Sequence, residues 1–193
     1  MSTGDREVPM TSAIFSRGLP MTEQEFLALG ETSERIELFD GSLFMTPAPT
    51  PGHQFISRRL ANALDPGAGA AGLVVSEAVN VRLRQDRIPI PDVVVTTPID
   101  YSSPVIDADA VRLVCEVVSP SNASADKVLK MHYYAAARIP WYLLVEQQSG
   151  TLRLYELSGD KYIERATAEP GDILRLTEPL TADLDPKALL PPS

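Results

Sequence analysis

Eight consecutive residues, Val111-Arg112-Leu113-Val114-Cys115-Glu116-Val117-Val118, form the most apolar strand-like run in the chain, and a carboxylate sits inside it. A short apolar run bounded by turn residues reads as a buried strand, and Ser119-Pro120-Ser121 supplies the stop. Two more runs have this character. Val93-Val94-Val95 follows Pro91-Asp92, and proline is tolerated at the first position of a strand. Trp141-Tyr142-Leu143-Leu144-Val145 follows a helical stretch from about Ser124 to Ala137. Strands interleaved with helices predict an α/β fold with a mixed central β-sheet flanked by helices.

The remaining punctuation fills in the order. Thr22 is a candidate N-cap for a short helix that Gly30 stops, with Glu23 and Glu25 suited to its positive end. Asp40-Gly41 between Arg35–Phe39 and Ser42–Met45 is a hairpin signal. Pro47 to Pro51 breaks the second strand, and a helix from about His53 to Leu64 is expected to end at Pro66-Gly67-Ala68-Gly69. Leu73-Val74-Val75 and Val79–Leu83 read as one long or bent strand, Asp86-Arg87 as a turn and residues 97–110 as a polar connection. Turns at Ser149-Gly150 and Gly159-Asp160 predict a C-terminal β-meander. Residues 1–20 show no period and are expected to form a loose tail, with residues 21–193 as a single domain.

Composition excludes several classes. One cysteine, Cys115, leaves no disulfide framework and no multi-cysteine zinc site, and two histidines leave no histidine-rich centre. A formal charge of −9 argues against broad electrostatic binding of nucleic acid. It leaves room for a local basic groove, for which Arg58-Arg59 and Arg82, Arg84 and Arg87 are the clustered cations. No apolar run is long enough to cross a membrane, and acidic Asp5 and Glu7 beside Arg6 are unlike a signal peptide. A cytoplasmic location and no membrane partner are expected.

Chemistry is suggested where apolar strands admit charge. Asp92 and Glu116 lie in such runs, on strands that could point both carboxylates one way. A buried carboxylate must be paired, neutralised or bound to a cation, and hard oxygen ligands suit magnesium. The Val117 carbonyl would supply a third oxygen. The plainer alternative is that each carboxylate pairs with an arginine or caps a turn. Lys130 and Tyr134 are four apart and share a helix face, and two of the chain's four lysines, Lys127 and Lys130, lie on that helix. A solvated helix with its lysines outward is the plainer reading there. Glu37 could face water in its hairpin, and His53 could be a helix cap.

Together these segments resemble one family. Arg35–Gly41 resembles its "YELIDGE" opening, and Pro47–Gln54 its "PxPxHQ" element. Pro91–Val95 and Glu116–Ser121 resemble its "PDxxV" and "EVxSPS" strands. Asp126, Lys130 and Tyr134 fit its "DxxxKxxxY" helix, and Pro140–Val145 its "YWLVD" strand, with Glu146 in place of the aspartate. The family is the Uma-two group of restriction-endonuclease-like proteins, a branch of the PD-(D/E)XK nucleases.

The resemblance implies a restriction-endonuclease-like core and metal-dependent cleavage of phosphodiester bonds, most readily in DNA. It implies Asp92 and Glu116 as the acidic pair, with magnesium or manganese as cofactor, and Glu37 as a further acidic residue. The superfamily's usual lysine position is here Val118, and the family pattern moves the lysine to Lys130. Tyr134 and His53 are implied as supporting residues, and Arg58, Arg59, Arg82 or Arg84 would have to make the phosphate contacts. A homodimer is expected, because cutting both strands is simplest with two sites related by a two-fold axis. The competing reading, favoured by Val118 and the acidic balance, is an inactive nuclease fold used as a binding or assembly module.

Overall fold

Asp40 and Gly41 both take positive φ, 51° and 84°, as the central pair of a tight hairpin turn requires. They join β1 (Arg35–Phe39) to β2 (Ser42–Thr46) in the expected hairpin, with Phe39 opposite Ser42. The computed structural model describes residues 20–30, 32, 34–46, 48–118 and 125–192. The expected tail, apart from Pro20, and the Ser119-Pro120-Ser121 stop lie outside the described residues.

Helix α1 (Glu23–Leu27) opens with a capping box: Thr22 Oγ1 accepts the Glu25 N–H, and the Glu25 carboxylate accepts the Thr22 N–H. After β2 comes α2 (Pro51–Ala70), capped by Thr50, with Pro51 at its first position. Then follow β3 (Val74–Glu77), β4 (Val81–Arg82), β5 (Arg87–Ile88), β6 (Val93–Thr96), β7 (Ile106–Asp107), a 3₁₀ turn (Ala108–Ala110) and β8 (Val111–Val118). Helix α3 (Ala125–Ala136) crosses over to β9 (Trp141–Glu146). The chain ends with β10 (Leu152–Ser158), β11 (Lys161–Ala168), β12 (Leu174–Leu176), β13 (Ala182–Leu184) and α4 (Pro186–Leu189).

Six strands form the central sheet, in the order β11-β10-β9-β8-β6-β3. Only β8 and β9 in that sheet run parallel, joined through α3; its other neighbours are antiparallel, so the sheet is mixed. Strand alternation divides the core in two. Val93, Val95, Leu113, Cys115, Val117, Leu143 and Val145 face Ile56, Leu60 and Leu64 of α2. Val94, Val114 and Leu144 face the other way, against Tyr134, Ile139 and Tyr142. A smaller sheet, β2-β1-β5, packs Ile36, Leu38 and Ile88 against Phe26 of α1.

Three expectations are corrected. α2 does not stop at Pro66; it runs through it to Ala70. Pro66 removes one helical N–H, but Ala68 beyond it is fully buried, and Gly67 lies so close to the segment at Leu180–Thr181 that a Cβ there would meet Thr181 O at 2.2 Å. Tertiary burial outweighs the local break. The long strand over 73–83 is two elements: Ala78 takes φ 51°, donates its N–H to Asp92 O at 3.1 Å, and sends the chain from β3 to β4, which pairs with β7. The polar connection over 97–110 therefore contains β7 and the 3₁₀ turn.

Candidate active site

β6 pairs with β8 so that Val93 faces Cys115 and Val94 faces Val114. Extended by one residue, Asp92 comes opposite Glu116. Residues directly opposite in an antiparallel pair share a face, and this is the face that carries Val94, Val114 and α3. Asp92 sits just before β6 rather than within it, and its side chain closes the pair there: Oδ2 accepts the Val117 N–H at 2.8 Å.

Three further elements converge on the two carboxylates. Arg35 at the start of β1 donates from Nη1 to Asp92 Oδ1 at 2.8 Å, and from Nη2 to the Ile90 carbonyl. His53, in the first turn of α2, places Nε2 3.1 Å from Asp92 Oδ2. Glu37, two residues after Arg35 and so on the same strand face, accepts the Ile90 N–H at 2.8 Å. From α3, Lys130 Nζ lies 3.0 Å from Glu37 Oε1 and 3.6 Å from Glu116 Oε1. One helical turn on, Tyr134 donates its hydroxyl to Glu116 Oε1 at 2.6 Å. Lys130, Glu37, Asp92 and Glu116 are all buried.

The structure thus brings together Asp92, Glu116, Lys130, Glu37, His53, Tyr134 and Val117. It also adds Arg35, which lies in the Arg35–Gly41 motif and is not among the candidate site residues the sequence points to. The available signal was its i, i+2 spacing from Glu37. Among the described residues, no hydrogen bond or ion pair joins Arg58, Arg59, Arg82 or Arg84 to this network. Arg82 pairs with Glu23 and Asp107, and Arg84 pairs with Asp40. Arg59 donates to the Ala188 carbonyl at 3.2 Å, and Arg58 is exposed on α2.

The charges act in opposite directions on the two central carboxylates. Burial pushes against ionisation of Asp92, but the His53 hydrogen bond and the Arg35 charge overcome it and hold its pKa at about 2. His53 is raised in return, chiefly by that hydrogen bond. Burial pushes Glu116 up to about 7; Lys130 opposes this, and the charge of Asp92 adds to it.

Among the described residues, no three His, Cys, Asp or Glu side chains are grouped as a ready-made metal cage. The donor chemistry nevertheless fits a hard cation held by two carboxylates and a backbone oxygen. A carboxylate offers about four acceptor positions. Arg35 takes one on Asp92 Oδ1, and His53 and the Val117 N–H take two on Oδ2. The contacts of Tyr134 and Lys130 with Glu116 are both on Oε1. The N–H and C=O of one strand residue point to the same edge, so the Val117 carbonyl also faces the Asp92 side of β8. The raised pKa of Glu116 means that the local cations do not fully offset its charge in this buried setting.

Residues 23–189 match a family described as "Putative restriction endonuclease", Uma2. The chain belongs to the Uma2 family. Its fold also resembles a solved structure from Anabaena variabilis ATCC 29413, titled a putative nuclease belonging to DUF820. The TM-score is 0.67 at 19% identity, over 88% of this chain and 97% of that one. A comparison with curated proteins gave no match. Family and fold are therefore those of restriction-endonuclease-like nucleases, and the Uma2 motifs quoted above supply nearly every side chain of the buried network. No helix among the described residues is long and apolar enough to cross a membrane.

Proposed function

We propose that this Uma2 protein is a divalent-metal-dependent endonuclease that hydrolyses phosphodiester bonds in DNA. The observation that carries the proposal is the burial of Lys130 against Glu37 and Glu116, on the sheet face that Asp92 shares. A lysine is among the last side chains to be buried without a reason. Here it stands in for the lysine absent at Val118.

Asp92, Glu116 and the Val117 carbonyl would hold magnesium or manganese, which when bound supplies a Lewis acid for the scissile phosphate and a water of lowered pKa. Lys130 Nζ orients the attacking water or offsets the charge that develops on the phosphate oxygens. Glu37 fixes the lysine's position. Arg35 and His53 keep Asp92 ionised and aimed, and Tyr134 fixes the position of Glu116 through its hydroxyl. A two-fold dimer in the cytoplasm would present two such sites to DNA.

The test is calorimetric titration of magnesium and manganese into the wild type, Asp92→Ala and Glu116→Ala, followed by plasmid cleavage. Binding and cleavage in the wild type, lost together in both variants, is the expected result. One observation favours a second reading, the inactive module: Asp92 already meets three hydrogen-bond partners from the protein itself. That reading requires no ion binding by the wild type, and partner binding that survives Asp92→Ala.

A further inference from the structure

On β2, the residue directly opposite Glu37 is Phe44. Opposed residues share a face, with Cα atoms about 5 Å apart, so Phe44 flanks the buried network on its hairpin side. Phe44 is 49% exposed, and its ring is braced from beneath. Phe39 meets it edge-on, with ring centres 5.4 Å apart and planes at 83°. Phe39 in turn stacks on Tyr133 of α3 at 5.5 Å and 25°. The Arg87 guanidinium closes the row, 3.7 Å from the Tyr133 ring centre. An exposed Phe at the end of such a row is a fixed aromatic surface beside the candidate active site.

The charge distribution narrows what this surface can meet. The phosphate backbone dominates duplex affinity and needs free cations. Around this hairpin the arginines are committed: Arg84 and Arg87 to Asp40, and Arg82 to Glu23 and Asp107. The chain as a whole carries −9. Stacking on an aromatic ring needs no cation, is worth about 1–3 kcal/mol per base and is available only to a base outside its own stack.

The geometry points to Phe44 as a stacking platform for an unpaired nucleobase next to the bond being cut, so that the enzyme acts on single-stranded or locally unpaired DNA in preference to intact duplex. This rests on the nuclease reading above and makes Phe44 a specificity-determining residue. Tyr in place of Phe keeps the ring plane, whereas Leu keeps apolar bulk and loses the plane.

The test is fluorescence anisotropy in EDTA with a labelled single-stranded oligodeoxynucleotide and the matching duplex, for the wild type, Phe44→Leu and Phe44→Tyr. Thermal unfolding checks that all three are folded, and cleavage of both oligonucleotides with manganese is followed separately. The expected result is tighter single-strand binding by the wild type, a loss of about 5- to 150-fold in Phe44→Leu, near-wild-type binding in Phe44→Tyr and unchanged duplex binding. Equal single-strand affinity in wild type and Phe44→Leu, or equal losses in Leu and Tyr, overturns the stacking role. If the wild type still cleaves, the nuclease reading survives that outcome. A wild type that neither binds nor cleaves either oligonucleotide overturns both.

Discussion

Lys130 Nζ lies 3.0 Å from Oε1 of Glu37, a carboxylate 93 residues earlier in the chain. The same ammonium reaches Glu116 at 3.6 Å, so one cation serves two buried acids from two different sheets.

Replacing Lys130 with Met should therefore do two things. Removing one partner of a buried ion pair costs about 3–5 kcal/mol, because the other charge is stranded; denaturant unfolding without divalent ions should show a loss of that order. If the lysine acts on water or phosphate, plasmid cleavage should also fall by about 10²–10⁴. A variant that unfolds like the wild type would place Lys130 in solvent.

Glu116 should show the opposite balance. Its pKa rises from 4.5 in the unfolded chain to about 7 in the folded one. Below pH 4.5 both states hold the proton and nothing is lost. Between 4.5 and 7 the unfolded chain releases it first, so stability falls as pH rises. Glu116→Gln keeps the acceptor for Tyr134 and removes this dependence. It should be more stable than the wild type by about 3 kcal/mol at pH 8 without metal, with the gap closing towards pH 4.5. Thermal unfolding across that range checks it.

Asp92 runs the other way. Its pKa falls from 3.8 to about 2 on folding, so its stabilisation is complete above about pH 4 and is lost as pH drops towards 2. Arg35→Gln and His53→Gln each remove a group that keeps it ionised. Both should shift the acid unfolding midpoint upwards, and a midpoint unmoved in both would show that neither group supports Asp92.

Metal should stabilise the fold through the same acids. A ligand at 100 times its Kd adds about 2.7 kcal/mol, or about 5–10 °C of Tm for a domain of this size. Manganese should raise the Tm of the wild type by that much and leave Asp92→Asn and Glu116→Gln unmoved.

Gly67→Ala tests the unbroken α2. Its Cβ would meet Thr181 O at 2.2 Å and Leu180 Cδ1 at 3.0 Å. Overpacking against backbone costs about 1–3 kcal/mol, read as a lower Tm with Lys130 and its partners untouched.

The convergence of the candidate site is legible in the sequence where its signals are local. Carboxylates in apolar runs marked Asp92 and Glu116, and a four-residue helical spacing put Lys130 and Tyr134 on one face, where both now meet Glu116. Arg35 is not legible in this way, because an arginine at a strand's start reads as solvated and its partner lies 57 residues away. The turn at Ala78 was hidden by a positive φ at a residue with a Cβ, which sequence gives no reason to expect. The path of α2 through Pro66 is set by packing against residues near 180, far beyond any local window. The groove arginines failed to gather at the site because their aspartate and glutamate partners also come from remote segments.

The order in which the buried network enters the chain has a consequence for synthesis. Arg35, Glu37, His53, Asp92 and Glu116 are all made before Lys130, and the β9 strand that locks α3 against the sheet follows later still. A nascent chain leaving the ribosome therefore carries its acids without their shared cation until the crossover after β8 is complete. The buried network is therefore one of the later parts of the fold to be completed, and it is closed by an element made after all of its acids.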